Sequence, residues 1–133
     1  MRILVDTSVW SLAFRRDTPP DDPAVRRLLH ALQGGDLVVT TGVIIQELLQ
    51  GLIPSRTRTA IEGRILALPS IVPTVEDHVG AADIWNRCRQ HGVQVGTIDA
   101  LIAHLSMAHD VPLLTADRDF THAARIVPLR LIG

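Results

Sequence analysis

Ile3-Leu4-Val5-Asp6-Thr7-Ser8-Val9-Trp10 is the stretch on which the fold class turns. Three apolar residues without polar alternation read as a buried strand of the kind found in parallel sheets. The run stops at an acid, and Thr7 opens a helical pattern that reaches about Phe14. Outward from there the alternation repeats. Leu37-Val38-Val39, Ile71-Val72-Pro73, Val111-Pro112-Leu113-Leu114-Thr115 and Val127-Pro128-Leu129-Arg130-Leu131 are the other candidate strands. Between them, helices are expected from about Pro23 to Gln33, Val43 to Leu52, Arg56 to Ala67 and Glu76 to His91. A further helix runs from Thr97, taken as its N-cap, to about His109.

The helix boundaries have local causes. Gly34-Gly35 stops the second helix, and Pro23 suits the first helical position. Ile44, Ile45, Leu48, Leu49 and Leu52 keep a period of about 3.6, which puts one apolar stripe on the third. Short strands separated by helices predict an α/β fold with a mostly parallel sheet covered on both faces. The proline-rich stretch at 17–23 is too short to separate two units, so residues 1–133 are expected to form a single domain.

Composition removes several function classes. The chain is 47% hydrophobic and 20% charged, enough to bury a core and unlike a disordered tail. No apolar run approaches the roughly 18–20 residues that span a bilayer. Asp6 interrupts the opening run and no cleavable apolar segment follows, so a cytoplasmic protein without membrane association is expected. Cys88 stands alone and can build neither an internal disulfide nor a cysteine metal cluster. All 13 basic residues are arginine, which excludes Schiff-base lysines and the P-loop lysine. A net charge of −1 argues against a cationic DNA-coating protein, although guanidinium groups suit phosphate contacts.

Acids recur at element junctions. Asp6 follows the first strand, Asp117 lies just past Leu113-Leu114-Thr115, and Asp119 comes two residues later. Asp99 falls in the first turn of its helix. Glu47 sits roughly 130° from the centre of its helix's apolar stripe, at about 100° per residue. Open parallel sheets collect ligands beyond the carboxyl ends of their strands, the kind of edge these acids share. Each also has a purely structural reading. Asp6 serves equally as a helix cap, Asp99 complements a helix dipole, Asp117 and Asp119 form turns, and Glu47 is a solvated flank.

Four segments taken together resemble one family. They are Asp6-Thr7-Ser8-Val9-Trp10, then Val43-Ile44-Ile45-Gln46-Glu47-Leu48, then Thr97-Ile98-Asp99-Ala100-Leu101-Ile102-Ala103, and finally Leu114-Thr115-Ala116-Asp117-Arg118-Asp119-Phe120. Their order, spacing and total length are similar to PIN-domain proteins, in particular the VapC-type ribonuclease toxins of prokaryotic toxin–antitoxin pairs. The resemblance implies a three-layer sandwich with about five strands and a metal-dependent endoribonuclease. Carried over residue by residue, it gives catalysis and metal binding to Asp6, Glu47, Asp99 and Asp117, with Asp119 as a further metal ligand. Thr7 and Thr115 become supporting hydroxyls. It also implies a homodimer and a VapB-like antitoxin whose tail covers the active site, an arginine of that partner offsetting the acids. Leu28, Leu29, Leu32, Leu48, Leu49 and Leu52 are candidate apolar surfaces for such partners.

The residue types make chemical sense. Crowded carboxylates repel unless a cation arrives, and hard oxygen donors select Mg²⁺ or Mn²⁺. The six histidines include no pair three or four apart, so a helical zinc pair is not expected. Arg15, Arg16, Arg56 and Arg118 are candidates to hold phosphates of an RNA substrate, whether tRNA, rRNA or mRNA. Trp10 and Trp85 are either base-stacking or core residues. A haloacid-dehalogenase-like phosphatase would need an acid in place of Ser8 and a lysine, and a serine hydrolase would need a nucleophile elbow. The rival that survives is a catalytically silent PIN-like module that holds RNA or protein without cutting.

Overall fold

The computed structural model describes residues 1–15, 21–52 and 54–132. Among them, five strands form one sheet: β1 (Arg2–Val5), β2 (Leu37–Thr41), β3 (Ser70–Ile71), β4 (Leu113–Leu114) and β5 (Leu131–Ile132). Seven α-helices are present: α1 (Thr7–Phe14), α2 (Pro23–His30), α3 (Gly42–Leu49), α4 (Arg56–Leu66), α5 (Val75–Gln90), α6 (Thr97–Ala108) and α7 (Arg118–Ala123). The order is β3-β2-β1-β4-β5 and every pairing is parallel. Ile3 pairs with Val38, and Leu4 with both Val39 and Leu113. The chain therefore winds outward from β1 in one direction and then, from β4, in the other. That reversal opens a crevice at the carboxyl ends of β1 and β4.

Apolar side chains on both sides of the sheet form the core. Ile3, Leu4 and Val5 are fully buried, as are Ile44 on α3, Ile65 on α4, Ile102 and Leu105 on α6, and Phe120 on α7. Trp10 is buried and stacks on Phe14, so it belongs to the core. Cys88 is buried, which pushes its thiol up from its ordinary value. Of the six leucines offered as partner surfaces, Leu28 and Leu48 are core residues, while Leu29 and Leu32 are exposed. Leu49 and Leu52 are half-buried against the core.

Several boundaries differ from the sequence reading. The second helix leaves α geometry at Ala31, and a π-type turn over Ala31–Gly35 closes it with Gly34 at φ 103°. Only glycine adopts that conformation readily. Gly96, not Thr97, caps α6, and Thr97 is its first helical residue. The fourth and fifth strands are shorter than their apolar runs: Val111, Val127 and Leu129 are buried outside the ladder. Pro112 and Pro128 lack the N–H such a ladder uses. The helix α7, not anticipated, lies within the segment that carries the last two acids.

Phe120 anchors that short helix. Truncation to Phe120→Ala should cost about 3–5 kcal/mol in urea unfolding. Val72→Ala, at a residue 79% exposed, should stay within about 0.5 kcal/mol.

Candidate active site

The crevice between β1 and β4 is built first from backbone. The Asp6 N–H donates to the Leu114 carbonyl at 2.9 Å, which continues the β1–β4 ladder one residue past the end of β1. Asp6 then turns its buried side chain back as the N-cap of α1, accepting from the Ser8 N–H at 3.4 Å. The same oxygen, Oδ2, accepts from the Ser8 hydroxyl at 2.7 Å and the Thr115 hydroxyl at 3.0 Å. Three donors thus hold one oxygen and leave Oδ1 for another ligand.

Both hydroxyl oxygens are also acceptors. Ser8 Oγ takes the Ala116 N–H at 3.1 Å, and Thr115 Oγ1 takes the Asp117 N–H at 3.0 Å. They therefore tie α1 to the turn after β4. Asp117 caps α7 by accepting from the Asp119 N–H at 2.9 Å, which fixes the two acids relative to each other. Across the crevice, Thr7 donates to Glu47 Oε1 at 2.9 Å and sets the glutamate on α3 toward α1. Asp99 stands in the first turn of α6.

These acids meet. Asp99, Asp117 and Asp119 each present a ligand atom within 4.8 Å of the other two, a triad that could bind a metal ion. Burial first, and then the charges of Asp6, Asp117, Glu47 and Asp119, push the Asp99 carboxyl up to about 7. Each charge acting on Asp99 is another carboxylate, so the five acids singled out in the sequence act at one place. The structural readings hold for the same residues: Asp6 and Asp117 cap helices, and Asp99 lies in a first turn.

The other candidates divide. Arg15 is exposed and shares a shallow cleft with Ser8 and Ala116. Arg118 is exposed between the two acids of α7, and Arg56 is exposed at the start of α4, which packs on α3. Arg16 lies outside the described residues. His104 and His109 face Asp77 at 3.0 and 3.9 Å and fasten the start of α5 to the end of α6, away from the acids. Ser8 was quoted in its motif but given no role in the sequence reading. Its signal was its place two residues after a capping acid, where a short hydroxyl readily returns to the same carboxylate.

Known proteins share this fold. Residues 3–126 match the family model described as PIN domain. The chain is 35% identical over 130 residues to VapC ribonuclease Mb1587 of Mycobacterium bovis, covering 96% of each chain. It superposes on VapBC2 of Rickettsia felis, solved with a promoter DNA fragment, with TM-score 0.77 at 20% identity, covering 99% of this chain and 98% of that one. It also superposes on Mycobacterium tuberculosis VapC20, described as a sarcin–ricin loop cleaving toxin, with TM-score 0.69 at 20% identity. That match covers 96% of this chain and 98% of the other.

The raised Asp99 carboxyl gives a stability prediction. An unfolded aspartate titrates at about 3.9, whereas the folded one titrates at about 7. Between these values the folded chain holds a proton that the unfolded chain has lost, so this group lowers stability as pH rises through the window. In metal-free protein, Asp99→Asn should therefore raise Tm relative to the parent at pH 8 but not at pH 4. The gain should be a few degrees, with about 1 kcal/mol corresponding to roughly 4 °C. Equal Tm differences at both pH values would contradict this.

Proposed function

The chain belongs to the PIN-domain family and has VapC ribonucleases among its relatives, and on that premise we propose that it is a metal-dependent endoribonuclease, the toxin of a VapBC-type pair. In this reading residues 1–133 are one PIN domain that acts in the cytoplasm on tRNA, rRNA or mRNA. The observation that carries the proposal is the convergence of Asp99, Asp117 and Asp119, with Asp6 and Glu47 close enough for their charges to raise the Asp99 carboxyl. No helix of the described residues is long and apolar enough to cross a membrane.

The donor set fits a hard divalent cation. Every candidate ligand is a carboxylate oxygen, neither thiolate nor imidazole joins them, and Mg²⁺ or Mn²⁺ is the class such donors hold. A bound ion of this kind lowers the pKa of a coordinated water and offsets charge on an attacked phosphodiester. Asp6, whose Oδ2 is held by Ser8 and Thr115, would have Oδ1 to offer such an ion. Asp99, Asp117 and the more exposed Asp119 would hold the ion. Glu47, turned by Thr7, stands on the α3 side, where it can orient a water or accept its proton. Hydroxyls fix the Asp6 and Glu47 carboxylates before substrate arrives, which lowers the reorganisation needed at reaction.

Partners follow from the same reading. A VapB-like antitoxin would place an arginine among the acids and offset their charge. The exposed Leu29 and Leu32 offer apolar contact to that partner or to a second protomer of a homodimer.

Cleavage of pooled tRNA and rRNA by purified protein tests the proposal. Discrete fragments should form with Mg²⁺ or Mn²⁺ and vanish with chelator. Asp99→Asn should reduce the rate by about a hundredfold or more, the scale of losing an electrostatic catalytic group. Binding of RNA and metal without fragments would favour the silent module, and fragments persisting in Asp99→Asn would remove the assigned site.

A further inference from the structure

Beside the acids the surface changes sign. Two clefts, of 380 and 590 Å³, adjoin there and share Val93, Gln94 and Asp119. The first extends from Asp119 and Gly96 to Trp85 and Arg89 on α5. The second extends past Arg125, just beyond α7. Asp119 belongs both to these clefts and to the acidic triad, so the groove opens directly from the carboxylates.

The two arginines are free for a ligand. Both are exposed, and among the described residues neither makes an ion pair. The Arg89 guanidinium carbon sits 5.1 Å from the centre of the half-buried Trp85 ring. A cation over an indole face is held in place, so its outward plane is offered at a lower entropic cost. A guanidinium so placed can grip phosphate bidentately or take a base on its plane. Gln94, between the arginines, adds an exposed amide with both donors and an acceptor.

We propose that the groove over Trp85, Arg89, Gln94 and Arg125 holds the RNA strand by its phosphates on one side of the cleaved bond. This rests on the ribonuclease reading and adds to it the path of the substrate. The division of labour is electrostatic. Carboxylates repel a bare phosphodiester, so the affinity that keeps RNA over them has to come from cations outside the cluster. Arg89 and Arg125 occupy that position on the α5 and α7 sides.

The test uses full-length protein in the Asp99→Asn background, which prevents cutting, and a labelled single-stranded RNA of about 20 nucleotides. Arg89→Gln and Arg125→Gln should each weaken binding about three- to tenfold at 0.1 M salt. Each should also flatten the plot of log affinity against log salt by about 0.7, the value for one lost single-strand phosphate contact. Arg89→Lys should recover most of that slope because it keeps the charge. Arg2→Gln, at the opposite end of β1 where Arg2 contacts the His109 carbonyl, should change neither. A Tm unchanged from that of the Asp99→Asn background would show that the fold is intact. If the Arg89 and Arg125 variants bind as the background does while wild-type protein still cuts RNA, the groove assignment is wrong and the ribonuclease reading stands. No RNA binding and no cutting would overturn both.

Discussion

Repulsion among carboxylates at the carboxyl edge of β1 and β4 is the constraint around which this chain is arranged. Burial first, and then the charges of Asp6, Asp117, Glu47 and Asp119, raise the Asp99 carboxyl to about 7. A fold gains nothing in stability from such a cluster, and the scaffold must hold it against its own charge. The parallel ladder, with Leu4 and Val5 paired to Leu113 and Leu114, supplies the rigid base. Four of the acids, Asp6, Asp99, Asp117 and Asp119, serve at helix starts, where backbone N–H groups and dipoles favour negative charge. Structural and chemical duties fall on the same side chains because helix N-termini are where a fold can best tolerate anions.

The hydroxyls around Asp6 refine this arrangement. Ser8 and Thr115 donate to one carboxylate oxygen and accept from the backbone of residues 116 and 117. Position is thereby passed from α1 to the segment bearing Asp117 and Asp119. A change at either hydroxyl would move a carboxylate without removing it. The sheet order makes this linkage possible, since only the reversal between β1 and β4 brings residues 6 and 115 side by side across more than a hundred positions of sequence.

Much of this was legible beforehand, for identifiable reasons. Ile3–Val5 of β1 and Val38–Val39 of β2 are buried and apolar, so both strands read as apolar runs, while the buried Thr40 and Thr41 that complete β2 fall outside its run. The apolar stripe of α3 was recovered, although α3 ends at Leu49 and not Leu52. The ends of β4 and β5 were not legible, because Val111, Val127 and Leu129 are buried without pairing and hydrophobicity alone cannot separate the two cases. The helix α7 was hidden since six residues with Phe120 and Ala123 as its buried members give no usable period. Five acids were found by their junction positions and by ordered family resemblance. Their convergence was not derivable from spacing, since it depends on sheet order. The cleft at Arg89 escaped notice although Trp85 and Arg89 stand four apart on one helix, the spacing at which side chains meet.

The measurement that bears most directly on the site is anomalous diffraction from crystals soaked in Mn²⁺. An ion should be bound by oxygens of Asp99 and Asp117, at about the 2.1 Å typical of a small hard divalent cation, with Asp6 Oδ1 facing it directly or through water. An ordered crystal with no manganese among these carboxylates, or with the ion held elsewhere, would contradict the account.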